Sequence, residues 1–294
     1  MRIITANTNG IRAASRKGFF EWLEKQDADV VCIQETKAQV HQLEDPMFHP
    51  GHSYYHDAIK KGYSGVALYC KTEPDEVIVG MGNDEFDCEG RYIEARFGKL
   101  SVISLYMPSG SAKEERQQVK YRCMDHFLPL EKTQQHETMQ EVDLKELLGK
   151  STSTNLPTNN FLIQQMLDSG RDYIICGDWN IAHKNEDIKN WKGNKKNSGF
   201  LPEERAWFDV LFDDYQFVDA FRELDQPEHS YTWWSNRGQA YANNTGWRLD
   251  YHVLSPSLKG KVEKTEIYKE EKFSDHAPLI IDYAYEIKSD IKNG

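Results

Sequence analysis

GRYIEARFGKLSVISLY, residues Gly90 to Tyr106, holds two apolar runs, Tyr92–Phe97 and Leu100–Leu105, with only Gly98-Lys99 between them. A two-residue join containing glycine reads as a hairpin of antiparallel strands, because glycine adopts the backbone angles such a turn requires. The rest of the chain has the spacing of crossover connections. Apolar runs recur at Arg2–Ala6, Asp29–Ile33, Gly65–Tyr69, Tyr173–Cys176, Arg248–Leu254 and Leu279–Tyr283. Helix-like segments at Lys17–Gln26, Lys113–Leu130 and Pro202–Phe212 lie between several of them. The first sets Phe19, Phe20, Trp22 and Leu23 on one side, and the last opens with proline and then two glutamates, a helix-start signal. A hairpin within an alternating pattern excludes a purely parallel sheet. The expected fold is α/β: a four-layered α/β sandwich, two mixed β-sheets packed face to face with helices outside.

Composition narrows the class. The 294 residues carry 47 Asp+Glu against 36 Lys+Arg, a net charge of -11, so no global positive field attracts polyanions. Hydrophobic residues at 39% and aromatics at 12% supply enough apolar surface for a sizeable core and exclude global disorder. Cys32, Cys70, Cys88, Cys123 and Cys176 are widely spaced and odd in number, which indicates neither a disulfide framework nor a zinc ribbon. The N-terminus MRIITANTNGIRA lacks the basic-then-apolar run of a signal peptide, and no stretch reaches the ~18 continuous apolar residues of a membrane span. A soluble, cytoplasmic protein is expected. One segment, Thr133–Asn160, breaks the rhythm: it is polar, net acidic and ends in a Ser/Thr/Asn/Pro tract. It reads as a surface insertion, with one short helix at Val142–Leu148, in a single domain spanning residues 1–294.

The apolar runs end in polar side chains. Asn7 and Asn9 follow RIITA, Glu35 follows VVCIQ, Tyr106 follows SVISL, and Asp178 and Asn180 follow YIICG. Ligand sites of α/β folds gather at strand ends, so groups far apart in sequence converge there. Asp250 lies inside GWRLDYHVL, where a charge is costly unless paired, and Asp275-His276 directly precedes PLIIDY. This oxygen-rich set, without a thiol, suits Mg²⁺ or Mn²⁺ better than Zn²⁺ and points to phosphate chemistry. The histidines His41, His49, His52 and His56 are poorly spaced for a preformed zinc site.

Taken together, NTNGIR, CIQETK, SGVALY, GRYIEARF, YMPSG, CGDWNIAH, NWKGNKKNSGFLPEERAW, YTWW, GWRLDYH and FSDHAPL resemble the exonuclease III / AP endonuclease family of the endonuclease/exonuclease/phosphatase superfamily. The likeness runs from Met1 to about Tyr283 and leaves out the insertion. It implies a Mg²⁺-dependent nuclease, with Mn²⁺ as a substitute, that cuts duplex DNA on the 5′ side of abasic sites or acts at 3′ ends. The runner-up is another phosphoesterase of the superfamily, acting on a non-DNA ester. The resemblance makes Glu35 and Asn7 the principal metal positions, with Asp275 as a further ligand, and leaves open one ion or two. It makes Asp178 the residue that activates water, Asn180 the one that orients it, Asp250 and His276 a carboxylate–imidazole pair, and Tyr106 a phosphate contact. Ser109 departs from the amide that relatives often carry at that place.

The candidate DNA contacts are Asn9, Lys37, Arg116, Lys192 and Lys195, and the resemblance adds Trp233 and Trp247, with Trp234 beside them, as the wall of a pocket for an extruded sugar. Charge supports the loop His183–Phe200, where Lys184, Lys189, Lys192, Lys195 and Lys196 outnumber Glu186 and Asp187. Smaller basic patches are Lys113, Arg116, Lys120 and Arg122 on the long helix, and Arg12, Arg16 and Lys17. The expected partner is double-stranded DNA, bound by a monomer, with no membrane.

Overall fold

The computed structural model describes residues 1–111, 114–129 and 161–288. The insertion Thr133–Asn160 with its expected helix, and Lys113, lie outside the described residues.

In chain order the strands are β1 Arg2–Asn7, β2 Val30–Gln34, β3 His52–His56, β4 Val66–Cys70, β5 Glu76–Val79, β6 Tyr92–Phe97 and β7 Leu100–Tyr106. They continue as β8 Asp172–Asp178, β9 Val218–Asp219, β10 Trp233–Trp234, β11 Gly246–Trp247, β12 Asp250–Leu254, β13 Val262–Ile267 and β14 Leu279–Tyr283. One six-stranded sheet runs β13-β14-β1-β2-β4-β3, the other β5-β6-β7-β8-β12-β9, and β10-β11 form a separate ribbon. Each large sheet is antiparallel except for one parallel pair, β1 with β2 and β7 with β8. The expected hairpin is present, with Phe97 opposite Leu100.

Burial on both faces explains why the inner strands read as continuous apolar runs. Ile3, Val30 and Cys32 face the second sheet, packing with Ile93, Val102 and Ile174. Their neighbours Ile4, Val31 and Ile33 point the other way, onto Ile11, Phe19, Phe20 and Trp22 of the helices Ile11–Ser15 and Phe19–Glu24. Across the molecule, Ile103, Leu105, Ile175 and Val253 pack under the helices Glu114–Phe127, Leu162–Asp168 and Pro202–Asp209. The result is helix, sheet, sheet, helix. The third helix ends at Asp209 rather than Phe212 and passes into a wider π-type turn, Val210–Asp214.

Three registers set the site. Asn7 pairs with Gln34, Tyr106 with Asp178, and Asp250 with Asp178, so the polar ends of five strands reach the same rim. Just beneath, a buried polar bridge ties the sheets together: Thr5 Oγ1 donates to Gln34 Oε1 at 3.0 Å, and Gln34 Nε2 to Ser104 Oγ at 3.0 Å. Polar groups buried and paired in this way hold the two sheets in one relative position.

Candidate active site

The chain leaves the strand ends by sharp turns. Asn9, Glu35, Lys37, Ser64 and Asn180 all have φ between 45 and 53°, in the left-handed region that side chains with a Cβ avoid. All five line one cavity of about 590 Å³, so strain of roughly 1–3 kcal/mol per residue is concentrated there. Backbone bonds fix it in place: Gly10 N–H donates to Glu35 O at 2.7 Å, and Lys37 N–H to Ser64 O at 2.8 Å. Gly177 makes the junction of β7 and β8 possible, because a Cβ there would lie 1.9 Å from Leu105 O.

Inside this cavity the side chains form one network. Asn7 Nδ2 donates to Glu35 Oε1 and to Asp178 Oδ2, both at 2.9 Å. Lys37 Nζ lies 2.6 Å from Glu35 Oε2 and donates to Asn9 Oδ1 at 2.5 Å. Asp178 Oδ1 accepts from the backbone N–H of Asn180 at 2.9 Å, and Asn180 Nδ2 donates to Met107 O at 2.9 Å. The His276 imidazole is held through Nδ1 by Asp250 Oδ2 at 2.9 Å, and its Nε2 faces Asp178 Oδ2 at 3.8 Å. Tyr106 completes the floor beside Glu35 and Asp178, and the Arg91 guanidinium lies 4.9 Å from its ring centre.

Burial and charge tune these groups. Burial pushes the His276 imidazole down, but Asp250 and Asp178 together outweigh it and raise it to about 10. Burial raises the Asp178 carboxyl to about 7, although the charged His276 opposes this. Burial also works to raise Asp275, but His276 and hydrogen bonds from Asn9 and Trp233 bring it below its ordinary value. At neutral pH the imidazole is therefore a cation among carboxylates.

The donor set fits a hard divalent cation. Glu35, Asp178 and His276 each bring one atom within 4.8 Å of the others, a grouping compact enough for a metal ion. Among the described residues the four acids Glu35, Asp178, Asp250 and Asp275 are met by the cations Lys37 and His276, so acids outnumber cations in the cavity. The charged imidazole, already bonded to Asp250, is no cation ligand, which leaves the oxygen donors. The two other expected metal positions carry hydrogen bonds of their own. The Asn7 carbonyl accepts from Asn9 N–H at 3.0 Å. Asp275 lies outside the compact group, with Oδ1 accepting from Asn9 Nδ2 at 2.9 Å and Oδ2 from Trp233 Nε1 at 3.2 Å.

Trp233 and Trp247 form the cavity's aromatic wall, paired across the β10–β11 ribbon with ring centres 6.1 Å apart and planes at 84°. Trp234 turns away, buried against Tyr241 and bonded to Asn244.

The model of the endonuclease/exonuclease/phosphatase family matches residues 4–276. An exodeoxyribonuclease of Bacillus subtilis (strain 168) is 38% identical over 281 residues, covering 95% of this chain and 98% of its own. The chain belongs to the exonuclease III / AP endonuclease family. The DNA repair nuclease APEX1 of Danio rerio is 37% identical over 287 residues, 96% of this chain and 81% of the relative. The fold matches that of an AP endonuclease from Archaeoglobus fulgidus with a TM-score of 0.75 at 24% identity, over 97% of this chain and 100% of the other.

For this family member the structure sorts the basic residues. Lys192 and Lys195 stand over the Trp191 ring at 5.5 and 4.9 Å, on the outer side of the aromatic wall. Trp191, which the sequence reading passed over, packs with Trp233 and Trp247 on Ile188, Phe200 and Leu249. Arg116 donates to the Tyr63 hydroxyl at 3.2 Å, and Tyr63 lines the cavity. Within the helix patch Arg116 and Arg122 are exposed, but Lys120 is not. Lys120 is fully buried and donates to Asn180 O at 2.8 Å and Glu204 Oε1 at 2.6 Å, while Arg122 pairs with Glu85. Its amphipathic stem reaches inward because an acceptor pair waits there. The cavity lining also includes Ser64, Asn197, Ser198 and Gly199. The signal for the first was the SG after the tyrosine of KGYSG, a polar break just before an apolar run.

Proposed function

We propose that this chain is a DNA repair nuclease of the exonuclease III type, which hydrolyses the phosphodiester 5′ to abasic sites in duplex DNA and removes terminal groups at 3′ ends. One observation carries the reading: the buried Asp178 carboxylate faces the Asp250-bound His276 imidazole across 3.8 Å, beside a cavity walled by Trp233 and Trp247. A scissile phosphate held in the cavity against this pair would meet a cation in His276 and a base in Asp178.

In this mechanism Asp178 takes the proton of a water that Asn180 orients, and the water oxygen bonds to phosphorus in line with the departing 3′ oxygen. His276, kept charged by Asp250, stabilises the negative charge that grows on the phosphate oxygens, and Tyr106 contacts the same group. The phosphorus–oxygen bond breaks, the departing 3′ oxygen takes a proton from a solvent water, and Asp178 returns its proton to solvent, leaving a 3′-hydroxyl and a 5′-phosphate. Glu35 would hold the cation with Asp178 alongside, Asn7 orienting both carboxylates; bound Mg²⁺, or Mn²⁺ in its place, supplies neutralising charge to phosphate and leaving oxygen. Asp275 aligns Asn9 and Trp233 at the cavity edge. Lys37, Arg116, Lys192 and Lys195 contact the DNA backbone. The chain acts on double-stranded DNA as a monomer in this reading. The five free thiols fit a reducing, intracellular setting near the nucleoid.

The test is incubation with end-labelled abasic, 3′-phosphorylated and blunt duplexes, in excess EDTA and then with Mg²⁺ restored. Cleavage that needs Mg²⁺ is expected; full turnover in the chelator would sink the mechanism.

A further inference from the structure

Asp250 is held in place almost entirely by its backbone. One carboxylate oxygen meets His276, while the other, Oδ1, is buried with no hydrogen-bond partner among the described residues. A carboxylate fixed by one hydrogen bond swings unless the main chain carrying it is immobile. At this point β12 begins alongside β8, and two successive N–H groups are caught by a single side chain: Thr232 Oγ1 accepts from Leu249 N–H at 3.0 Å and from Asp250 N–H at 3.1 Å.

Thr232 is fully buried and meets two other parts of the site through its own peptide groups. Its N–H donates to Trp247 O at 2.9 Å, and its carbonyl accepts from Ala277 N–H, next to His276, at 2.7 Å. We infer that Thr232 is a positioning residue, whose hydroxyl sets Asp250 against His276 and ties that pair to the Trp247 wall. The inference rests on the proposed role of Asp250 and His276. Replacing the hydroxyl by a methyl leaves two buried N–H groups without an acceptor at the residue whose carboxylate orients the imidazole. Displacement of a catalytic group by about 1 Å costs on the order of 10²-fold in rate.

The experiment is steady-state cleavage of an abasic duplex with Mg²⁺ by wild type, Thr232→Val and Thr232→Ser, well below each variant's unfolding midpoint. Thr232→Val should lower kcat by about 10- to 100-fold, with KM within about twofold because the bond to Trp247 is made by the backbone. Thr232→Ser, which keeps the acceptor, should recover most of kcat. Thr232→Ala, which removes the acceptor without placing a methyl against the N–H groups, carries the same expectation and serves if the Val protein is unfolded by circular dichroism. Loss by Val and Ser alike, an unchanged kcat in Val and Ala, or a KM that rises in step with the fall in kcat overturns this inference alone. A wild-type chain that cuts no duplex overturns the reading beneath it.

Discussion

His276 Nε2 stands 3.8 Å from Asp178 Oδ2, beyond hydrogen-bonding distance, although both side chains are buried and face each other. Asp250 prevents them from closing, because it holds the imidazole by its other nitrogen at 2.9 Å. The gap is where the structure keeps charge available for a substrate group.

Asp250→Asn removes the strongest influence raising His276, so the imidazole should fall from about 10 toward its ordinary range near ~6.5. The raised value contributes stability that is fully present below ~6.5 and is lost as pH rises through about 10. Between pH 7.5 and 10, wild-type stability should therefore decline more steeply than that of the variant. Imidazole NMR titration of the metal-free proteins, with denaturant midpoints across that window, checks both. An unmoved imidazole would show that Asp250 does not control the charge.

Asp178→Asn keeps the shape and the bond from Asn180 N–H but removes the base. Its kcat should fall by roughly 10²–10⁴ while duplex affinity stays within a few-fold of wild type. Single-turnover rates and anisotropy titrations separate the two effects. A loss confined to binding would move Asp178 out of the chemical step.

Trp247→Ala opens the aromatic wall without touching the carboxylates. Abasic-site cleavage should drop by about 10-fold or more, with the half-activating Mg²⁺ concentration unchanged within about twofold. Equal losses in both would instead report a collapsed site.

Lys120 is buried and Arg122 is paired with Glu85, so the proposed phosphate contacts are four: Lys37, Arg116, and Lys192 and Lys195 beside Trp191. Each phosphate contact contributes about −0.9 to the slope of log K against log salt, so four contacts give a shallow slope of about −3.6 on duplex DNA. The double change Lys192→Ala with Lys195→Ala should flatten it by about 2. A slope near −10, as for a repressor, would reveal a larger basic face.

Eight strand readings from the sequence correspond to the eight inner strands of the two sheets, β14, β1, β2, β4, β6, β7, β8 and β12. The edges β3, β5, β9 and β13 went unread for a shared physical reason: an edge strand buried on one face only, such as HSYYH or VEKTEI, needs no continuous apolar run. The site was legible for the same cause as the inner strands, because polar residues ending apolar runs mark the rim where those strands stop. Thr232 and Lys120 were not legible. Both act by hydrogen bonds from inside the core to backbone atoms of other segments, and no local pattern encodes such a partner. The helix reading of Lys120 as a surface cation failed because Glu204 lies 84 positions away.

The central claim is hydrolysis at this site, and the ends of the cut strand test it most directly. With Mg²⁺ and an end-labelled abasic duplex, wild type should leave a 3′-hydroxyl that a polymerase extends, and Asp178→Asn should leave the duplex nearly uncut over the same interval. An uncut duplex with wild type, or a cut whose 3′ end retains a sugar fragment and cannot be extended, would contradict the account.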